Sequence, residues 1–441
     1  MYKRLVLRHL RLNGYARRCY STPTGVPTIN ILGRDYPTDS YTNITPTIIS
    51  KLPLQLHRQP GHPICTLRTL IESHFASFSH LSSVSPIVSP YQNFDSLSFP
   101  ADHPGRSVTD SYYINKDVML RTHTSAHEVE VFERGEIQWL LTADVYRRDE
   151  IDGSHYPVFH QMEGARIVDA TESSISEIQE DNERLLRHLE RSNIVIEDVP
   201  HLTPANPAQP SHNRIHSEAV ALNLKLYLNS LLLELFGGSA GATKEDPLRV
   251  RWIEAYFPFT SPSYEVEVFF RGKWLEILGC GVVLQSTLDR AKVPNKIGWA
   301  FGLGLERIAM ILYSIPDIRL FWSSDPRFLS QFKAGEISTF KPYSKYPSCF
   351  KDVSFWLPEQ AEGDAKMHEN DFCDLVRDVA GDLVEDVKVI DKFTHPKTNR
   401  DSICYRINYR SMDRSLSNEE VNVLQAEVVS RLKDRFGVEI R

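Results

Sequence analysis

Four short stretches carry side chains whose types and spacing could do chemistry. The longest runs Val145-Tyr146-Arg147-Arg148-Asp149-Glu150, then a loop with Ser154, His155 and Tyr156, then Phe159-His160-Gln161-Met162-Glu163-Gly164. On a strand, Phe159, Gln161 and Glu163 share one face, and His160 and Met162 take the other. A Gln/Glu pair on one face can grip an ammonium group by charge-assisted hydrogen bonds. Neighbouring arginines can hold a phosphate bidentately. The same residues would also suit a solvated, charged hairpin. A second stretch reads Arg121-Thr-His123-Thr-Ser125-Ala126-His127-Glu128. On a helix His123 and His127 could clasp a metal, but no third ligand lies at a suitable spacing, so no metal site is predicted. On an extended backbone His123, Ser125 and His127 would line one side of a polar pocket.

The third stretch is Gly298-Trp299-Ala300-Phe301-Gly302-Leu303-Gly304-Leu305-Glu306-Arg307. Its glycines let backbone approach a ligand, and Arg307 falls in the first turns of the helix that follows. No Gly-x-x-x-x-Gly-Lys-Ser/Thr occurs, so a nucleotide here is not held by a P-loop. The fourth, Asn93-Phe-Asp95 to Pro100-Ala-Asp102-His103-Pro104, reads alone as a Pro/Asp turn.

These stretches need elements to hold them. Residues 22–64 read as an extended arm, and a short helix is predicted over Thr66–Phe78. Glu172–Ser192 reads as a polar helix. Glu218–Phe236 is apolar almost all round, hence a buried helix, with Gly237-Gly238 predicted to stop it. Tyr264–Phe270 alternates as a half-buried strand, with Trp274–Leu284 beside it, and Leu303–Tyr313 reads as a helix. Beyond Phe340 the order is strand (352–357), helix (369–380), strand (384–393), strand (402–410), helix (418–436), strand (438–441). Ser417-Asn-Glu-Glu420 opens the last helix as a capping box. This βαββαβ order predicts a ferredoxin-like sandwich. The fold class is α+β.

The chain has 441 residues and a net charge of −7, so any nucleic-acid contact must come from local patches. One is Lys388–Arg414, with seven bases against three acids; Phe393, Tyr405 and Tyr409 lie among them and could stack on bases. No apolar run reaches the roughly 18 residues that span a bilayer, and no membrane partner is predicted. The six cysteines form no Cys-x-x-Cys pair, which fits a reducing compartment. Residues 1–34 hold seven Lys/Arg and no acid. With Leu5, Leu7, Leu10 and Leu12 they suit a basic amphipathic helix, and residues 1–21 are predicted to be a mitochondrial transit peptide.

Taken together, the stretches resemble the class II aminoacyl-tRNA synthetases. Asn93–Pro104 resembles motif 1, Val145–Glu163 motif 2 with Arg147 at its arginine, and Gly302–Arg307 motif 3 with Arg307 at its arginine. His123-Thr-Ser125, Phe159-His-Gln161-Met162-Glu163, Tyr256-Phe257-Pro-Phe259 and Gly298-Trp-Ala300-Phe301-Gly302 are similar to the amino-acid pocket of the phenylalanyl members. The C-terminal βαββαβ looks like their anticodon-binding domain, fused here to the catalytic chain as in the mitochondrial form. One departure is Asp149, where many class II motifs carry Glu.

The resemblance implies a domain order of transit peptide (1–21), catalytic domain with arm (22–330), linker (331–339) and anticodon-binding domain (340–441). It implies ATP as substrate with Mg²⁺, phenylalanine and tRNA(Phe) as the other substrates, the mitochondrial matrix as location, and a monomer. Arg147 would meet the α-phosphate and Arg307 the distal phosphates, with Glu276 seating Mg²⁺. Ser154, His155 and Tyr156 would contact ATP or the tRNA end. Gln161 and Glu163 would hold the substrate ammonium, with Met162 among the pocket residues. His123, Ser125, Ala126, His127 and Glu128 would shape the polar end. Phe257, Phe259, Ala300, Phe301 and Gly302 would surround the ring. Deleting 340–441 is then expected to spare adenylate formation and abolish charging. The alternative is an idle, RNA-binding relative, which should have lost Arg147, Arg307 or the Gln161/Glu163 pair.

Overall fold

The computed structural model describes residues 27–342, 346–358 and 367–441. The transit segment expected at 1–21 lies outside the described residues. An eight-stranded sheet forms the larger body. Its strands are β1 (Ser79–Leu81), β2 (Gln138–Tyr146), β3 (Val158–Asp169), β4 (Ile194–Glu197), β5 (Leu248–Glu254), β6 (Thr260–Phe270), β7 (Lys273–Val283) and β8 (Lys296–Gly304). They lie in the order β1-β2-β3-β8-β7-β6-β5-β4. The six central strands pair antiparallel, and the two edge strands join parallel.

One face of this sheet is covered by helices. Among them are α1 (Pro63–His74), α2 (Glu172–Leu189), α3 (Arg214–Ala240) and α4 (Leu305–Tyr313). Helix α3 is apolar enough to cross a membrane by length and composition, but most of it is buried inside the fold, as its all-round apolar surface requires. Gly237 and Gly238, expected to end it, lie inside it. The stop is Gly241, whose φ of 64° lets its N–H turn back to the Gly237 and Gly238 carbonyls. The arm also departs from expectation. It holds a hairpin (Thr28–Ile31 with Arg34–Pro37) and a helix, Pro46–Lys51, capped by Thr45. Ile31, Ile44, Ile48 and Leu56 drive this order, because all four are buried in the main core.

The C-terminal body follows the sequence reading closely. Strands β9 (Cys349–Trp356), β10 (Val384–Thr394), β11 (Asp401–Tyr409) and β12 (Glu439–Ile440) lie in the order β10-β11-β9-β12. Helices α5 (Glu369–Ala380) and α6 (Asn418–Phe436) cover one face, and the Ser417/Glu420 capping box is present. Tyr405 and Tyr409, read as base-stacking candidates, are core residues instead. Tyr405 stacks on Phe372 at 4.1 Å between ring centroids. Strand alternation puts both tyrosines on the helix-covered face. Phe393 remains exposed.

The two bodies are joined through the loop between β2 and β3. Arg148 donates to Asp374 (2.5 Å) and Asp371 (2.8 Å) of α5. Asp374 also accepts from Tyr112 (2.8 Å) and Arg377 (2.7 Å). Arg377 in turn donates to the Asp149 and Glu150 carbonyls. Ile151 is buried within the C-terminal core. Phe340 packs on Phe328 and Phe332, so this residue belongs to the first body.

Candidate active site

The open face of the sheet carries a cavity of about 900 Å³. Strands β3 and β8 form its floor in register, Gln161 opposite Gly304 and Glu163 opposite Gly302. That pairing puts the second and third stretches side by side. A Cβ added at Gly302 or Gly304 would meet no atom within 4 Å, so backbone is bare to the cavity there.

Fifteen of the predicted site residues line the cavity: His123, Ser125, Arg147, Ser154, His155, Tyr156, Gln161, Glu163, Phe257, Phe259, Glu276, Ala300, Phe301, Gly302 and Arg307. Four do not. Met162 is fully buried on the opposite face of β3, as strand alternation demands. Ala126, His127 and Glu128 lie behind the wall. The segment Thr124–His127 is a 3₁₀ turn, not an extended strand. It therefore turns His127 away, and its Nε2 accepts from Arg121 (3.1 Å).

The polar end is built around Glu163. It is 2% exposed, and its Oε2 has no hydrogen-bond partner among the described residues. A buried, unsatisfied carboxylate oxygen facing a cavity is costly unless a ligand completes it. Burial raises the Glu163 pKa to about 8, against the pull of the Thr124 and Ser125 hydroxyls. Glu128, buried beside it, is pushed up by burial and by the Glu163 charge. Gln161 accepts from the Thr124 amide at 3.3 Å, which fixes its carbonyl and aims its NH₂ elsewhere. His123 donates from Nε2 to the Asn93 carbonyl (2.8 Å), and burial, with Arg147 nearby, lowers its pKa to about 3. It is neutral at physiological pH.

Aromatic rings make the next wall. Phe257 and Phe259 stack at 5.9 Å, and Phe99 packs on both Phe259 and His123. Phe257 lies over Gly279, where an added Cβ would be 2.6 Å from its ring. Phe99 was missed in the sequence reading, because an aromatic inside a Pro/Asp turn gives little signal. Ala300 stands on the cavity side of β8, and Phe301 turns its ring into the core beside Phe75.

Two arginines face the open side. Arg147 is exposed to the cleft, with Nε donating to the Thr122 carbonyl (2.8 Å) and its guanidinium over the Phe159 ring at 5.2 Å. Arg307 is 60% exposed and stands 3.7 Å from Glu276. Glu265 also lines the cavity, and burial plus Glu276 and Glu267 raise its pKa. Alternation in Tyr264–Phe270 was the signal that could have found it. In the β2–β3 loop, Asp152 holds the backbone and side chains of Ser154 and His155. Burial opposes charging of His155, but the Asp152 hydrogen bond and nearby carboxylates win and raise its pKa. The Tyr156 hydroxyl is committed to Asp382 (2.5 Å) of the C-terminal body, so it faces that body and not a ligand.

The arrangement can bind an ammonium, an apolar ring and a polyphosphate in one cavity. Residues 50–204 and 215–332 match the tRNA synthetases class II core domain (F), and 344–441 match the ferredoxin-fold anticodon binding domain. The mitochondrial phenylalanine–tRNA ligase of Saccharomyces cerevisiae is 48% identical, covering 96% of this chain and 97% of its own. That of Mus musculus is 45% identical, over 94% and 89%. The phenylalanine–tRNA ligase alpha subunit of Vibrio parahaemolyticus is 34% identical, over 62% and 68%. The chain belongs to the class II tRNA synthetases and, within them, to the family of the mitochondrial phenylalanine–tRNA ligases.

Proposed function

We propose that the cavity joins phenylalanine to AMP and passes the acyl group to the 2′-hydroxyl of the terminal adenosine of tRNA(Phe). The observation that carries this reading is one cavity holding the orphaned Glu163 oxygen, the Phe257/Phe259 wall and two free-facing arginines. In the first step the phenylalanine carboxylate attacks the α-phosphorus of ATP and pyrophosphate leaves. In the second the ribose hydroxyl attacks the acyl carbon and AMP leaves. Both steps need positioning and charge neutralisation more than a protein nucleophile. Glu163 holds the ammonium, with the remaining lone pair of the Gln161 amide oxygen as a second acceptor. Arg147 meets charge building on the α-phosphate, and Arg307 holds the distal phosphates. Glu276 and Glu265 are oxygen donors suited to Mg²⁺, which would offset charge on the leaving pyrophosphate. Ser154 and His155 face the ATP or the tRNA end. The idle-relative alternative gains no support, since Arg147, Arg307, Gln161 and Glu163 converge.

The C-terminal body reads the anticodon. Trp356, Phe393 and His395 cluster within 6.3 Å, centroid to centroid, and Arg400 and Arg441 lie over the Trp356 ring. Rings with interleaved cations suit unstacked bases. The first body ends just beyond Phe340, slightly later than the sequence limits of 331–339 for the linker. The protein acts as a monomer in the mitochondrial matrix, with residues 1–21 as its transit peptide; mitochondrial relatives and the acid-free amino end support the mitochondrial location. Charging of a tRNA(Phe) transcript by the purified chain tests the reading. Loss of charging in R147A, with the fold retained, is expected; full activity in R147A would refute the assigned role.

A further inference from the structure

The ladder between β3 and β8 ends at Gln161–Gly304, because the chain turns into α4 at Leu305. The next amide on β3, that of His160, has no partner on β8. Glu306 takes that place: one carboxylate oxygen accepts the His160 amide (2.7 Å) and the other accepts Nδ1–H (2.6 Å). Both side chains are buried, His160 at 0% and Glu306 at 2% exposure. The His160 ring is clamped between neighbours, stacked on Trp322 at 5.8 Å and 5.1 Å from the His57 ring. Helix α4 has no side-chain cap at Gly304, so no other side chain anchors its first turn from that position. Glu306 also sits where the helix dipole favours an anion.

We infer that His160 and Glu306 form a positioning clamp that sets where Arg307 stands relative to the ammonium-binding strand. Arg307 follows Glu306 directly, and among the described residues its side chain has one ion-pair contact, the 3.7 Å approach to Glu276. Its aim therefore depends on the backbone of the first turn. Gln161 and Glu163 do not depend on the clamp in the same way, because the β8 ladder holds them. The clamp should affect the phosphate side of the cavity and spare the amino-acid side. This inference rests on the proposed role of Arg307 at the ATP phosphates.

The test is pyrophosphate exchange with the full chain, measuring KM for ATP and for phenylalanine separately, alongside Tm. The variants are E306Q, E306D, H160N and R307A. In E306Q, losing charged acceptors for two hydrogen bonds is expected to raise the ATP KM by about tenfold or more, with the phenylalanine KM within about twofold of wild type. E306D, which keeps the carboxylate, should recover part of the loss. H160N keeps the amide bond and should shift the ATP KM in the same direction by less, which covers failure of E306Q to fold. An equal rise in both KM values, or a lower Tm with neither KM changed, would overturn the clamp. If R307A leaves the ATP KM unchanged, the reading of Arg307 fails instead. If R307A raises it and neither E306Q nor H160N does, the clamp alone fails.

Discussion

Replacing Glu163 by glutamine keeps the side chain's shape and removes its charge. Burial raises the Glu163 pKa to about 8. Only a minor fraction is then ionised at pH 6–7, and that fraction grows as the pH rises towards 8. Only the ionised form can pair with an ammonium, and apparent affinity scales with the competent fraction. The KM for phenylalanine is therefore expected to fall by up to about tenfold per pH unit from pH 6, the slope flattening towards pH 8. In E163Q that slope should vanish, and at pH 8 the KM should be higher by on the order of 30-fold, for about 2 kcal/mol of lost ion pairing. The linkage has a second consequence. A carboxyl whose pKa is raised in the fold loses stability as pH rises from its unfolded value towards the folded one. E163Q should therefore be more thermally stable than wild type at pH 7–8, and the gap should close near pH 4. Pyrophosphate exchange at saturating ATP gives the KM values, and thermal melts at several pH values give the stability. A wild-type KM that is flat from pH 6 to 8, or an E163Q slope equal to wild type, would refute the reasoning.

Other consequences follow from single contacts. Asp374 is buried and accepts from Arg148, Arg377 and Tyr112; D374A should cost on the order of 3–5 kcal/mol in urea unfolding, because buried guanidiniums lose their partner. W356A or F393A should raise the KM for tRNA, with each stacked base worth roughly 1–3 kcal/mol, and should leave pyrophosphate exchange unchanged. An exchange rate that falls in parallel would point to misfolding. If the small side chain of Ala300 sets the ring pocket as proposed, discrimination against tyrosine at activation should be only on the order of 10²-fold; undetectable tyrosine charging in a sensitive assay would contradict that.

Most of the cavity lining was legible in the sequence because it lies in short, ordered stretches. Alternation alone put Gln161 and Glu163 on one face, and glycines marked the bare floor at Gly302 and Gly304. The C-terminal body was legible because its helices and strands carry clean periodicity and a capping box. What failed depended on partners far along the chain. Tyr405 and Tyr409 belong to the core because α5 covers their face, which local sequence does not state. His127 turned away because Thr124–His127 is a 3₁₀ turn. The bond from Arg148 to Asp374 spans more than two hundred residues, so nothing local announced it. That contact also changes an experiment. Deleting 340–441 would unpair Arg148 and expose Ile151, hence disturb the β2–β3 loop itself. Point variants on Trp356 and Phe393 separate RNA binding from activation more cleanly.

The cavity is proposed to activate phenylalanine. Amino-acid-dependent pyrophosphate exchange with each of the twenty amino acids tests it most directly. Strong exchange with phenylalanine, a weak signal with tyrosine and background with the rest are expected. Exchange driven best by another amino acid, or none with phenylalanine from folded protein, would contradict it.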